Sequence, residues 1–266
     1  FTLNMSIEVL ISCMHQSDWS IIERSNVQTD VLIVNQCERN AIEEYSFSNE
    51  AGKTCHARMI HTTERGLSRS RNMALQHAKG EICVFCDDDE VFETDYEQTI
   101  QHAFETNPDY TLIAFRLNYS RKQFPQEICT YNRLTSGRLS SAQIAFKRKV
   151  IHDTGIWFDL QLGSGTGNGG GEETKWLYQL LSKRHIKAIY LPILLASISN
   201  GESLWFKGYD ERYFVNYGWT IRRIYGCMIG TLFLFYHVIS HRNLYAPYCN
   251  TKTICKSLWK GFFEKR

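Results

Sequence analysis

The sequence predicts an α/β domain with a mostly parallel central sheet flanked by helices, followed by a helical C-terminal extension. Three observations carry that expectation. Short apolar runs alternate with helix-like stretches through the first half of the 266 residues, the pattern of strand–helix–strand units. Residues 82–86 (Ile-Cys-Val-Phe-Cys) are apolar without alternation, as in a strand covered on both faces. In the last quarter, residues 225–239 are apolar and the charged residues around them are mainly basic.

In chain order, residues 7–11 read as a first buried strand, and Ser17 stands where the cap of a helix carrying Ile21 and Ile22 belongs. Residues 31–34 form a second β-rich run, followed by an irregular stretch. Residues 67–79 have helical spacing with Ala74, Leu75 and Ala78 inward, and Gly80 occupies the place of a C-terminal glycine stop. The third strand, 82–86, comes next. Beyond Pro108, residues 112–115 and 144–146 read as strands. Six glycines in the nine positions 163–171 precede Glu172, Glu173 and a helix over about 174–183, and 186–191 reads as a strand before Pro192. There is no internal repeat.

Composition narrows the class. With 43% hydrophobic and 22% charged residues and four prolines, the chain is neither disordered, collagen-like nor of low complexity. A net charge of +2 does not point to nucleic acid. The sum hides an asymmetry: residues 1–200 carry 20 Lys/Arg against 24 Asp/Glu, a balance of −4, whereas 201–266 carry 10 against 4, a balance of +6. That excess suggests a surface partner for the tail, a membrane first. The first apolar run is too short for a secretory leader, so the nine cysteines are expected to be reduced in a cytoplasm. Cys83 and Cys86 have C-x-x-C spacing, but they lie inside an apolar run without a second pair, and read as small buried strand residues.

Ligands of such sheets sit beyond the carboxyl ends of the strands. Three ends are readable: residues 12–15, Asn35-Gln36, and Asp87-Asp88-Asp89-Glu90. Four successive acids repel one another, and a divalent cation completed by substrate phosphates relieves that cost; the alternative is a solvated acidic turn. Upstream, residues 64–72 place a glycine turn and three arginines at a helix start, where arginine forks and the helix terminus favour phosphate, or where a solvated helix face would serve as well.

Residues 64–95 (ERGLSRSRNMALQHAKGEICVFCDDDEVFETD) resemble the core of the family 2 glycosyltransferases of GT-A fold. That family's pattern is met by Gly66, Ser68, Ser70, Arg71, Asn72, Ala78, Gly80, Glu81, Asp87 and Asp89, with Glu90 for the last acid. The resemblance continues more loosely over 7–95 and 145–192. It implies a GT-A catalytic domain over 5–200, with a nucleotide-sugar-binding half (5–107) and an acceptor half (108–200), and a basic, apolar extension over 201–266.

By that resemblance, Asp87 would contact the nucleotide ribose, and Asp89, with Asp87, would hold Mn²⁺ or Mg²⁺ on the diphosphate; Asp88 between them counts with the nucleotide-binding residues. The loop from Cys13 to His15 would line the base pocket. Asn35, with Gln36, stands where the family has an acid that reads uracil. Arg65 and Arg71 would lie near the nucleotide, Arg71 in a structural role as the alternative. The family carries Gly-Glu-Asp before a helix, its Asp deprotonating the acceptor hydroxyl; here Glu173 takes that place with Glu172 beside it. A base must come within hydrogen-bond reach of that hydroxyl; otherwise the two acids merely complement the helix macrodipole. The glycine run is either a flexible acceptor loop or a tight series of turns with positive φ. The family often places a histidine after the catalytic domain to complete the metal shell, and residues 186–236 contain none.

The expected function is therefore inverting transfer from a nucleotide-diphosphate-sugar, UDP-linked first, to a glycan or lipid-linked oligosaccharide of a capsule or other surface polysaccharide. The rivals are nucleotidyl or phosphoryl transfer, which uses similar acids but for which no P-loop is present, and a non-catalytic membrane-attached glycan-binding module. In the tail, Trp205 and Phe206 would stack on an acceptor sugar or anchor the extension. Fifteen apolar residues, 225–239, fall short of the ~20 of a spanning helix. They form either a core helix or one lying in a membrane interface, with Arg222, Arg223, Arg242, Trp259, Phe262 and Phe263 near headgroups. The expected place is cytoplasmic, peripheral at the cytoplasmic membrane face.

Overall fold

The computed structural model describes residues 5–199 and 208–266. Trp205 and Phe206 lie outside them. The first strand β1 (Ile7–Met14) is followed by α1 (Ser20–Arg24), β2 (Asp30–Gln36), β3 (Ala41–Ser48), β4 (Thr54–Thr62), α2 (Leu67–His77) and β5 (Ile82–Asp87). Then come β6 (Glu90–Phe92), α3 (Tyr96–Thr106), β7 (Leu112–Asn118), β8 (Cys129–Tyr131), β9 (Ile144–Lys147), α4 (Arg148–Asp153), α5 (Glu172–Leu180) and β10 (Ala188–Ile198). The C-terminal extension is α6 (Glu211–Ser240), α7 (Arg242–Tyr245) and α8 (Thr251–Phe263).

One sheet runs β3-β4-β2-β1-β5-β9-β7-β10-β6, with β8 beside β10. The strands β4, β2, β1 and β5 are mutually parallel, and antiparallel β9 joins them to the parallel pair β7 and β10. This is the expected α/β architecture with a helical extension. Both faces are covered: Val9, Ile11, Val84 and Ile113 belong to one core, and Leu10, Phe85, Phe146 and Trp176 to the other. Trp176 is 1% exposed and stacks on Phe158 at 4.8 Å; its truncation to alanine is worth about 3–5 kcal/mol.

Several local expectations are corrected. The irregular stretch after β2 holds β3 and β4; in β4, Cys55, Ala57 and Met59 are buried in alternation. The N-cap of α1 is Trp19 rather than Ser17 and makes no side-chain capping bond; just before it, Asp18 Oδ1 accepts from Ser20 N at 3.0 Å. Helix α2 ends at His77, and Gly80 is not in the left-handed region. Glycine is required there by proximity, since a Cβ would lie 2.7 Å from Glu8 Cβ. Strand β10 does not stop at Pro192 but runs to Ile198, shifting register against β7 on both sides of Leu194. All nine cysteines are free thiols, and burial raises those of Cys83 and Cys86 well above the ordinary value.

The extension packs on the domain through its own core, in which Leu162 joins Phe214, Trp219, Leu258 and Phe262. Helices α6 and α8 cross in backbone contact: a Cβ on Gly218 would lie 2.0 Å from Leu258 O, and one on Gly261 1.8 Å from Val215 O. By length and composition α6 is apolar enough to cross a membrane. It is broken, however, at Gly226 (φ 72°, ψ −167°) into residues 211–225 and 227–240. The first part is buried along Phe214, Trp219, Ile221 and Ile224, a core helix.

Candidate active site

Residues from β1, β2, α2, β5 and α5 meet beyond the carboxyl ends of the parallel strands. Ser12 of β1 pairs in register with Asp87 of β5, and its hydroxyl accepts from Ser70 Oγ at 2.8 Å. The side chain of Asp87 is 40% exposed, and Asp88 and Asp89 form the exposed turn that follows. Desolvation, then the charge of Asp87, raises the pKa values of Asp88 and Asp89 above the ordinary carboxylate value.

Glu90 departs from the expectation that it completes this acidic group. The turn ends at Asp89 and β6 begins, so Glu90 points inward at 1% exposure. Its Oε2 accepts from Asp87 N at 3.2 Å, while Oε1 is buried without a hydrogen-bond partner among the described residues. Burial and then Asp87 push its carboxyl well above the ordinary value, and it supports the turn from beneath through the bond to Asp87 N.

The two amides that replace the family's acid also turn to the backbone. Asn35 is fully buried; its Oδ1 accepts from Gln16 N at 2.9 Å and its Nδ2 donates to Gln16 O at 2.7 Å. Gln36 Oε1 accepts from Gly66 N at 2.7 Å. These residues shape the loops after β1 and before α2, and Asn35 has no exposed surface to offer a base. Cys13 is likewise buried, its thiol pushed up to about 12 by burial and then by Asp88. His15 is exposed, with a positive φ of 52°. Arg65 pairs with Glu38 and is 35% exposed.

Arg71 ties Asp87 at the end of β5 to Glu172 at the start of α5. Its side chain is 3% exposed, with Nη2 3.1 Å from Asp87 Oδ1 and Nη1 3.1 Å from Glu172 Oε1. Burial opposes its charge, but Asp87 and Glu172 more than offset this. The other polar residues of α2 fasten the same junction: Ser68 Oγ donates to Leu162 O at 2.7 Å, and Asn72 exchanges hydrogen bonds of 2.9 and 2.7 Å with the backbone of Phe158.

The glycine run is a series of turns. Gly163, Gly165, Gly167, Gly169 and Gly171 all have positive φ, and Gly163 N donates to Gly169 O at 2.9 Å. Gly163 is also tight, since a Cβ would lie 3.1 Å from Ser68 Oγ. The run delivers Glu172 and Glu173 to the first turn of α5. Glu172 is buried, its carboxyl pushed up to about 8 by burial and then by Glu173, against the pull of Arg71. Glu173 Oε2 is buried without a hydrogen-bond partner among the described residues, an acceptor left uncommitted.

Lys122, four residues beyond β7, also reaches this region. It donates to Gln143 Oε1 at 3.0 Å, and burial lowers its pKa against the opposing charge of Glu173. Its only sequence signal is the basic pair Arg121-Lys122 beyond a strand.

Among the described residues no three His, Cys, Asp or Glu side chains converge as a metal-binding group. The hard oxygens of Asp87 and Asp89, in a turn whose mutual repulsion a cation would relieve, suit Mg²⁺ or Mn²⁺ held by two carboxylates with diphosphate and water completing the shell. The residues fit such an ion.

The family profile for glycosyl transferase family 2 matches residues 13–158, more than half of the chain. The chain belongs to that family. A search of curated proteins returns no match for this glycosyltransferase. Among solved structures, it resembles residues 1–349 of Staphylococcus aureus TarS with a TM-score of 0.59 and 15% identity, covering 96% of this chain and 81% of that one. The TarS complex with UDP-GlcNAc gives 0.60 and 16%, covering 95% and 79%; the complex with UDP gives 0.58 and 14%, covering 92% and 76%. At such identities the likeness concerns the fold, and it runs through the C-terminal extension of the glycosyltransferase as well as its sheet.

Proposed function

We infer that the enzyme transfers a sugar, with inversion, from a nucleotide-diphosphate donor, UDP-linked first, to a hydroxyl of a glycan or lipid-linked oligosaccharide in surface-polysaccharide synthesis. The observation that carries this reading is Arg71, which spans the donor acid Asp87 and the acid pair of α5. The UDP and UDP-GlcNAc complexes of TarS support a uridine donor. A capsule acceptor, with the enzyme peripheral at the cytoplasmic face of a membrane, suits the basic extension.

Asp87 and Asp89 would hold Mn²⁺ or Mg²⁺, which when bound neutralises the leaving diphosphate. The nucleotide would lie over the loop 13–15, near His15 and Arg65, with Asp88 beside it. Cys13 and Asn35 keep that loop in shape from beneath. Glu173 accepts the acceptor's proton through its uncommitted Oε2 as the hydroxyl oxygen forms its bond to the anomeric carbon and the bond to the diphosphate breaks. Glu172, protonated near neutrality, adds no second negative charge beside that base, and Arg71 fixes its position. A glutamate in place of the family's aspartate carries the base one methylene farther out, so the acceptor pocket must be correspondingly deeper.

The test is product analysis with a panel of nucleotide-sugars and Mn²⁺. Sugar transfer with release of the nucleoside diphosphate and no inorganic phosphate is expected. Release of phosphate or pyrophosphate would instead indicate phosphoryl or nucleotidyl transfer. Unchanged activity in Glu173→Gln would remove the base assignment.

A further inference from the structure

We propose that the second part of α6 and the outer face of α8 form a docking surface that lies flat on an anionic bilayer and holds the acceptor loop beside it. Residues 227–240 contain no Asp, Glu, Lys or Arg. On this stretch Met228, Leu232, Phe235, Tyr236 and Ile239 are 85%, 69%, 56%, 66% and 76% exposed. At 3.6 residues per turn these five fall within a sector of about 100°, opposite buried Gly230, Leu234 and His237. One large exposed apolar side chain needs no explanation, but a continuous uncharged stripe does.

The stripe continues onto α8. The Phe235 and Trp259 ring centroids are 5.9 Å apart, and Trp259 stacks on Phe263, which is 67% exposed. By the same helical spacing Trp259 and Phe263 share a face with exposed Lys252, Lys256 and Lys260. None of these lysines has a salt-bridge partner among the described residues. Unpaired cations beside aromatic and aliphatic side chains match an anionic leaflet, with the rings at headgroup level. Crossing is excluded by the break at Gly226: the 14 residues after it are fewer than the ~20 a span needs.

Three of the expected headgroup contacts are spent elsewhere. Arg223 holds Asp159 through two bonds of 2.6 and 2.9 Å, Arg222 lies over the Phe262 ring at 5.3 Å, and Phe262 is itself buried. They make the docking surface rigid with the domain. Arg266, just beyond α8, donates to Asn168 Oδ1 and Asn216 Oδ1, both at 3.0 Å. Gly171 packs on α6, where a Cβ would lie 2.9 Å from Thr220 Cγ2. Between loop and helices opens a cleft of about 480 Å³ bordered by Gly167, Asn168, Arg212 and Lys260. A surface attached in this way sets the loop's orientation toward the membrane, where a lipid-linked acceptor is presented.

This deepens the reading of the extension as peripheral, and its evidence is independent of donor turnover. The test is co-sedimentation of the full chain with vesicles of phosphatidylcholine, alone or mixed with phosphatidylglycerol, with donor-driven release of nucleoside diphosphate measured on the same samples. Binding only to the mixed vesicles is expected. It should fall about tenfold or more in Leu232→Asn/Ile239→Asn and about fivefold for each lysine changed to Gln among 252, 256 and 260, with nucleotide release unchanged. Equal binding by variants and parent would overturn the proposal, as would equal binding to both vesicle types. So would a dimer that the stripe variants dissolve and that binds neither vesicle. Vesicle binding without turnover would refute the transfer chemistry alone.

Discussion

The guanidinium of Arg71 lies 3.1 Å from Glu172 Oε1, while its other terminal nitrogen lies 3.1 Å from Asp87 Oδ1. One planar fork thus spans the two halves of the site, which a lysine, a single point charge, does not reproduce. Arg71→Lys is expected to lower kcat/KM about hundredfold by misplacing both acids and to lose about 3 kcal/mol in urea unfolding by breaking a buried pair. Wild-type kinetics in this variant would show that the bridge does not position the site.

Glu172 supplies a pH signature. Its carboxyl titrates at about 8 in the fold against 4.5 for the free side chain, so the unfolded chain releases this proton first. The corresponding stability is intact below about 4.5 and is lost as pH rises toward 8. Glu172→Gln mimics the protonated form. Thermal melts from acid to pH 8 should show the wild type losing stability relative to this variant; parallel curves would contradict the assignment.

Much of this site was legible because its elements are strongly patterned. Strands β1, β2 and β5 are continuous apolar runs, and the polar residues of α2 stand at fixed spacing. Strand β4 is hard to read in the sequence because its inward residues Cys55, Ala57 and Met59 alternate with His56 and Arg58, a weaker signal than an aliphatic run. Four acids in a row look alike in sequence, but the reversal at Asp88 and Asp89 sends Glu90 into the core. The amides of Asn35 and Gln36 resemble base-reading groups until their partners, backbone atoms of Gln16 and Gly66, are seen. In the tail, composition cannot say which side of an apolar helix is covered, and the stripe from Met228 to Ile239 emerges only once α8 is in place.

Asp159 connects the extension to the domain. It accepts from Arg223 and Lys175, and although burial works against its charge, these partners hold its pKa well below the usual carboxylate range. The stability gained is present above the free carboxyl value and is lost as pH falls below it. Asp159→Asn should cost about 2 kcal/mol at pH 7 and flatten the acid limb of the pH–stability curve. An unchanged acid limb would place that loss elsewhere.

The crossing of α6 and α8 tolerates no side chain at Gly218 or Gly261. Gly261→Val should separate the helices and cost about 3 kcal/mol or more. Near-wild-type thermal stability in this variant would mean that the two helices are not packed backbone to backbone.

The donor site is tested most directly by calorimetric titration of UDP into the full chain, with and without Mn²⁺, in wild type and Asp89→Ala. Binding in the wild type that tightens about tenfold or more with Mn²⁺, and loses that gain in Asp89→Ala, is the predicted result. UDP binding that ignores both the metal and Asp89, or no UDP binding at all, would contradict the account.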